Sequence, residues 1–450
     1  MARPASGSEG LRGQVRRGPY GRIWNLSWPT ILSNLTVPML GAVDTAVMGH
    51  LPDPAYVGGV AIGSMIFAFL YWGFGFLRMG TSGFTAQANG RADGTEIRSV
   101  LARALLIGAA AALVLLMAQF PLRALALQII EAAPDVEQLA RAYFDIRIWG
   151  APATLANYAI LGWMLGMQYA RAALAIQIII NGLNAALDIW FVVDLGWGIE
   201  GVALATALAQ YTGAAAGLIV IALRLRHIEG NWVRDRIFDL VALGALFRVS
   251  RDIFIRTLAM IFAWSLLTWS GARLGTTTLA ANALLMNFQS FLAHGLDGFA
   301  HATTALVGEA VGARNRRALR ATVIASTFMA GCVAVGYAVV YAVAGPRLLS
   351  VLTSIDPLRD FAADFLPWMT LSPLLSVWAY QLDGIFIGAT RAAEMRNAMI
   401  VSVAAYTVLI FTLPQFWGNH GLWAAVMAFM VLRAVTLAIY YPRLERMVAE

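Results

Sequence analysis

The chain has 450 residues, of which 60% are hydrophobic and only 13% charged, with a formal net charge of +7. A soluble globular domain carries about 45–50% apolar residues, so this composition excludes one. Every basic residue is Arg and the arginines fall on alternate loops, which argues against a nucleic-acid face, and the single cysteine, Cys332, excludes both a disulfide framework and a thiolate metal cluster.

Apolar runs of about 20 residues, long enough to cross a bilayer as helix, recur along the whole chain. The N-terminal arm is basic, but the segment after it is too long and too polar at its far end for a cleaved signal. Twelve spans are predicted, at 25–48, 56–80, 98–120, 138–164, 172–194, 199–224, 246–271, 278–305, 318–344, 360–387, 397–415 and 419–441. The arm (Arg3, Arg12, Arg16, Arg17, Arg22) and the links after spans 2, 4, 6, 8 and 10 are basic, whereas the intervening links are short and poor in Arg, and LPDPA, DLGWG and WGNHG hold none. The positive-inside rule then places both termini in the cytoplasm. The expected layout is a cytoplasmic arm (1–24), a six-helix bundle (25–226), a cytoplasmic linker (227–245), a second six-helix bundle (246–441) and a tail (442–450). The location expected is the plasma membrane, the inner membrane of a bacterium, with the lipid bilayer as surroundings.

The two halves echo one another 222 positions apart: Gln87 with Glu309, Gly90 with Gly312, Gly162 with Gly384 and Gly166 with Gly388. Six spans return the chain to its starting side, so the copies enter with the same orientation and a pseudo-two-fold axis runs along the membrane normal. The expected fold is an all-α polytopic membrane protein of rocking-transporter architecture.

The first span, WNLSWPTILSNLTVPMLGAVDTAVMGHL, holds Asp44 together with Asn34, Thr36, Thr45, Pro29 and Pro38. An Asp near the centre of a span costs about 2.5–3.5 kcal/mol even on lenient scales; one nearer an end costs less but still needs a reason. Span 5, IIINGLNAALDIWFV, places Asn181, Asn184 and Asp188 at i, i+3 and i+7 on one helical face. Their counterparts in the second half are about Val403, Tyr406 and Ile410, so one bundle keeps a polar pocket where the other has an apolar wall. Asp44, Asp188, Asn181 and Asn184 are therefore the expected coupling-ion site, set against the plainer reading that they bond helix to helix. Low dielectric favours the neutral acid, and two facing acids titrate as a pair. Loss of charge on loading would shift span 1 between bent and straight forms at Pro29 or Pro38, where a backbone donor is missing. Na+ held by carboxylate and amide oxygens is the competing reading.

The sequence resembles the multidrug and toxic compound extrusion family over essentially its full length. The matching stretches are P-x8-P-x5-DTAVMGH in span 1, [QE]-A-x-G after spans 2 and 8, NAALD in span 5 and LDGIFIGATR in span 10. LDGFAHATTALVGEAVGARN resembles the DinF-type subfamily in particular. This resemblance implies a V-shaped pair of bundles, and export of organic, often cationic and amphipathic compounds (drugs or toxic metabolites) driven by inward H+ or Na+. It also implies an ion site in the first bundle, and it places Tyr143, Asn157, Thr206 and Gln210 on the same cavity, each equally readable as an interhelix contact. Asn34 is of the same kind. Asp383 matches the family's acidic position in span 10 and is a candidate for ion coupling or substrate contact.

In span 8, His294, Asp297 and His301 share a face at a spacing that suits a metal, a pH-sensitive cluster or an ordinary helix contact; no metal or cofactor is expected. Asp297 is kept as a gating candidate. A lipid or lipid-linked oligosaccharide flippase is the alternative, but the intramembrane charges singled out are acidic and the count of spans is twelve. An enzyme finds no support: no HExxH or GxSxG pattern is present. Polar groups concentrated in one half argue against a channel. No nucleic-acid or obligate protein partner is expected.

Overall fold

The computed structural model describes residues 18–49 and 53–448, and its helices account for the twelve spans. Span 1 is α1 (Pro19–Met48); span 2 is α2 (Ala55–Gly73) followed by α3 (Phe76–Gly90); span 3 is α4 (Gly94–Met117), trailed by α5 (Gln119–Ile130). Span 4 is α6 (Pro134–Arg147) and α7 (Ala151–Gly166), joined by a 3-10 turn at Ile148–Gly150. Spans 5 and 6 are α8 (Ala170–Asp188) and α9 (Gly198–Leu225). A short helix, α10 (Arg234–Ile237), leads to α11 (Leu240–Arg273), α12 (Thr276–Gly312) and α13 (Arg316–Leu352). The small α14 (Asp356–Ala363) precedes α15 (Leu366–Gly388), and α16 (Ala392–Ala438) supplies the last two spans before α17 (Tyr441–Met447). α16 is two helices meeting at Gly418, whose φ of 52° favours glycine and turns the chain between spans. Among the described residues, seven helical runs are long and apolar enough to cross a membrane on those grounds alone. α12 is not among them, because it carries Asn282, Gln289, Asp297 and His301.

By internal packing the chain forms two units, one of Leu32–Phe247 and one combining the described residues up to Ile31 with those from Arg248 onward. The opening part of α1 thus belongs with the second unit, where Arg22 pairs with Glu309 and Ile31 packs over Gly298. The first unit is cored by Phe67, Phe144, Ile148, Leu155 and Val202. The second is cored by Phe288, Tyr341, Trp423 and Phe429. Inside the first unit, buried Arg98 donates to the carbonyls of Leu225 (2.7 Å) and Ile228 (2.8 Å), and Arg103 holds the Arg236 carbonyl, so the polar linker is tied down.

The repeat seen in sequence is also a repeat of backbone geometry. Asp93 caps α4 by accepting the Glu96 N–H at 2.9 Å, and Asn315, 222 positions on, caps α13 by accepting the Ala318 N–H at 2.9 Å. The left-handed residues before the caps correspond as well, Ala92 (φ 54°) with Arg314 (φ 51°), as do Gln168 (φ 64°) and Thr390 (φ 56°). The glycine pairs explain why the spacing survives. A Cβ on Gly162 would strike the Arg78 carbonyl and one on Gly166 would lie 2.6 Å from that of Ser82; in the second unit Gly384 meets the Ala300 carbonyl and Gly388 that of Thr304 at 2.5 Å. Small residues allow the helix backbones to touch, which is how helices associate where lipid removes the hydrophobic drive.

Gly384→Ala is therefore expected to cost about 1–3 kcal/mol by overpacking. Gly182→Ala, with nothing within 4 Å of the new methyl, is expected to be neutral or to stabilise by about 0.5–1 kcal/mol. Thermal unfolding of the two purified variants checks the contrast.

Candidate functional site

The polar face of α8 extends one turn further than the sequence reading took it, from Gln177 through Asn181 and Asn184 to Asp188, and it resolves into two networks. At the first, Gln177 Nε2 donates to Asn181 Oδ1 (2.9 Å) and Asn181 Nδ2 donates to Thr36 Oγ1 on α1 (2.8 Å). At the second, Asn184 and Asp188 have no exposed surface. Asn184 Nδ2 donates to Asp188 Oδ2 at 3.0 Å and reaches Thr206 Oγ1 on α9 at 3.4 Å. The Thr206 hydroxyl spends its own proton on the Val202 carbonyl (2.9 Å), so it faces Asn184 as an acceptor. Asn184 Oδ1 is buried with no hydrogen-bond partner among the described residues.

Local chain chemistry brings α8 and α9 together at this point. Directly after Asp188 the helix widens into a π-helical turn, Ile189–Asp194, a feature that recurs at functional sites. Gly196 (φ 68°) and Gly198 (φ 57°) then reverse the chain, and Phe191 stacks on Trp197 with ring centroids 4.9 Å apart. The result is a carboxylate, an amide carbonyl and a hydroxyl oxygen enclosed in an apolar unit. An oxygen set of this kind suits a proton or a hard cation.

Asp44 and Pro38 lie on α1, but their side chains fall outside the described residues. Pro29 is buried and Asn34 half-buried on the same helix. Asn157 on α7 donates to Gln210 of α9, at 2.8 Å to Oε1 and 2.9 Å to the carbonyl. Tyr143 on α6 is buried, with the Ser64 hydroxyl 3.5 Å from its own. A pocket of about 410 Å³ lies among the links between spans 1 and 2, 3 and 4, and 5 and 6 of the first unit, lined by Asp53, Asp135, Glu200, Tyr56 and Trp197.

The other acids singled out in sequence lie in the second unit. Asp383 Oδ2 accepts from Arg433 Nη2 at 2.9 Å and is ion-paired with Arg256. Neither arginine was singled out from sequence, although each sits inside an apolar run, RTLAMIFAW and MVLRAVTLA, where a charge is itself the signal. Tyr380 lies within the field of both arginines and of Asp383 and Asp297. Asp297 is half-buried and His301 buried on α12, while His294 Nδ1 is 2.6 Å from the Ser290 carbonyl, one turn back. Among the described residues no group of three His, Cys, Asp or Glu is placed to hold a metal ion.

The sequence profile of the MatE family matches this chain twice, over residues 29–190 and 253–413. The chain is 42% identical to the DNA damage-inducible protein F of Escherichia coli K12, over 94% of this chain and 92% of that one. It is 27% identical to a probable multidrug resistance protein NorM of Rhizobium meliloti, covering 94% of this chain and 96% of that protein. Among solved structures, a MOP superfamily transporter from Pyrococcus furiosus superposes with a TM-score of 0.87 at 18% identity, covering 99% of each chain. MATE crystal structures in bent and straight conformations superpose at TM-scores of 0.84 and 0.85, each at 18% identity and 99% coverage of both chains.

If Asn184 and Asp188 act as one unit, a double-mutant cycle between Asn184→Ala and Asp188→Ala gives a coupling of about 0.6–1.7 kcal/mol, the size of side-chain hydrogen bonds measured by such cycles in a membrane protein. Denaturant unfolding in detergent micelles measures it, and additive effects would contradict the pairing.

Proposed function

Because the chain belongs to the MatE family of transporters, we propose that it is a secondary active antiporter that exports organic compounds against inward flow of H+. The compounds fitting this reading are cationic or amphipathic, drugs or toxic metabolites, and the membrane is the plasma membrane with both termini cytoplasmic. The observation that carries the reading is Asp188, an acid with no exposed surface that accepts from the Asn184 amide, which in turn reaches the Thr206 hydroxyl. An ionisable group in that position is expensive and marks an ion pathway by default.

Loading works through a change in hydrogen bonding. An ionised Asp188 only accepts, and it accepts from Asn184. Once protonated it also donates an O–H, for which the buried Asn184 carbonyl oxygen supplies an acceptor. The Asn184 amide then turns, its contact with Thr206 changes, and α8 and α9 shift against each other. α1 is tied to the same helix through Thr36 and Asn181 and carries two prolines that lower the cost of bending. Asp44, 8 positions after Thr36 on α1, is the second acid in this reading. The acidic pocket of Asp53, Asp135 and Glu200 gathers cations at the links assigned to the outer side.

In proteoliposomes loaded with a fluorescent organic cation, Asp188→Asn is expected to lower gradient-driven transport roughly tenfold or more, since the site can no longer change charge. Proton-only and sodium-only gradients assign the ion; wild-type rates in Asp188→Asn under the effective gradient would contradict the proposal.

A further inference from the structure

Two arginines of the first unit, Arg147 and Arg78, lie near buried or half-buried tyrosine side chains. Arg147, at the end of α6, is 6% exposed, and its Nη1 is buried without a hydrogen-bond partner. Its guanidinium carbon lies 5.4 Å from the ring centroid of Phe67 and 5.4 Å from that of Tyr71, both on α2. Arg78, on α3, is half-buried. Neither arginine makes an ion pair among the described residues, whereas Asp383 of the second unit has two arginines to itself.

Two helices, α2 and α7, bring hydroxyl groups to the same place. The Tyr71 hydroxyl lies in the field of Arg147 and beside Thr154 of α7. The Tyr158 hydroxyl, also on α7, feels Arg78 most strongly among its charged neighbours and Arg147 as well. The Tyr71 hydroxyl is buried and makes no hydrogen bond that meets the usual distance and angle limits. Both membrane spans break here, span 2 between Gly73 and Phe76 and span 4 at the 3-10 turn Ile148–Gly150. A Cβ on Gly150 would stand 2.7 Å from Arg147 Nη1, so glycine leaves the guanidinium its room. Discontinuous helices in transporters are the usual place for a ligand.

Two guanidinium groups and phenolic donors, with no carboxylate paired to those guanidiniums among the described residues, make a seat for negative charge. The geometry points to Arg78, Arg147, Tyr71 and Tyr158 as an anion-binding site within the first unit, which takes a carboxylate or phosphate group. Guanidinium forks match the planar oxygens of a carboxylate or the face of a phosphate in two-pronged fashion. The aromatic rings of Phe67 and Tyr71 are suited to the apolar body that carries such a group. Naming that group as part of the cargo rests on the exporter reading; the binding of anions does not. The cargo class added by this site is the amphiphile with an acidic group.

The test uses the full chain in phosphatidylcholine nanodiscs, with no ion gradient, and equilibrium dialysis of three probes of similar size: benzoate, phenyl phosphate and benzylammonium. The two anions are expected to bind at least about tenfold more tightly than the cation. Arg147→Gln and Arg78→Gln each abolish that preference, while Arg147→Lys retains part of it. Should Arg147→Gln fail to fold, Tyr158→Phe, which keeps the ring, is expected to weaken phenyl phosphate binding several-fold. A preference that disappears when phosphatidylglycerol is added to the nanodiscs identifies a lipid headgroup as a competing occupant and supports the site. Equal affinity for all three probes, or unaltered anion affinity in folded variants, overturns it and leaves the arginines as packing for the rings. Because no gradient is applied, failure here is separate from failure of the antiporter assay with Asp188→Asn.

Discussion

An acid held where water does not reach is the constraint on which the first unit is built. Asp188 has no exposed surface; the Asn184 amide donates to it, and the Thr206 hydroxyl behind that amide is already committed to its own backbone. Directly after Asp188 the helix widens into the π-helical turn Ile189–Asp194, from which the chain reverses into α9.

The two units share a scaffold and differ in chemistry. Caps, left-handed turns and glycine contacts recur at one spacing, and so do Tyr158 and Tyr380, each beside an arginine cluster. Around Tyr380 the arginines close on Asp383, a pairing that ties α11 and α16 to α15. Around Tyr158 no acid pairs with the arginines among the described residues. Gene doubling followed by divergence of side chains on a fixed backbone accounts for this pattern, because a side chain at Gly162 or Gly384 would press on a backbone carbonyl while the polar positions are free to drift.

Much of the fold was legible in the sequence, for physical reasons that can be named. Twelve apolar runs and alternating arginine loops are one-dimensional signals, and the glycine repeat is a backbone constraint that shows wherever the residue does. The α8 face was legible because three polar residues at helical spacing stand out in an apolar run, and Gln177 escaped only because it lies one turn beyond them. The pairing of Asn157 with Gln210 was not legible, since nothing in spacing says which faces of separate helices meet. The arginines were overlooked for a different reason. Arg147, Arg256 and Arg433 were treated as span residues in a chain whose loops are rich in Arg, yet a charge inside a predicted span carries the same cost as Asp188 and carries the same weight as a signal. The side chain of Asp44, where the sequence reading centred, falls outside the described residues, so the account of the site stands on Asp188.

The most direct measurement is infrared difference spectroscopy on the reconstituted protein as external pH, and then external Na+, is changed. The account predicts a protonated-carboxyl band that responds to one of these ions across about pH 5–9 and is missing from Asp188→Asn. A spectrum in which Asp188→Asn removes no ion-dependent carboxyl signal would contradict it.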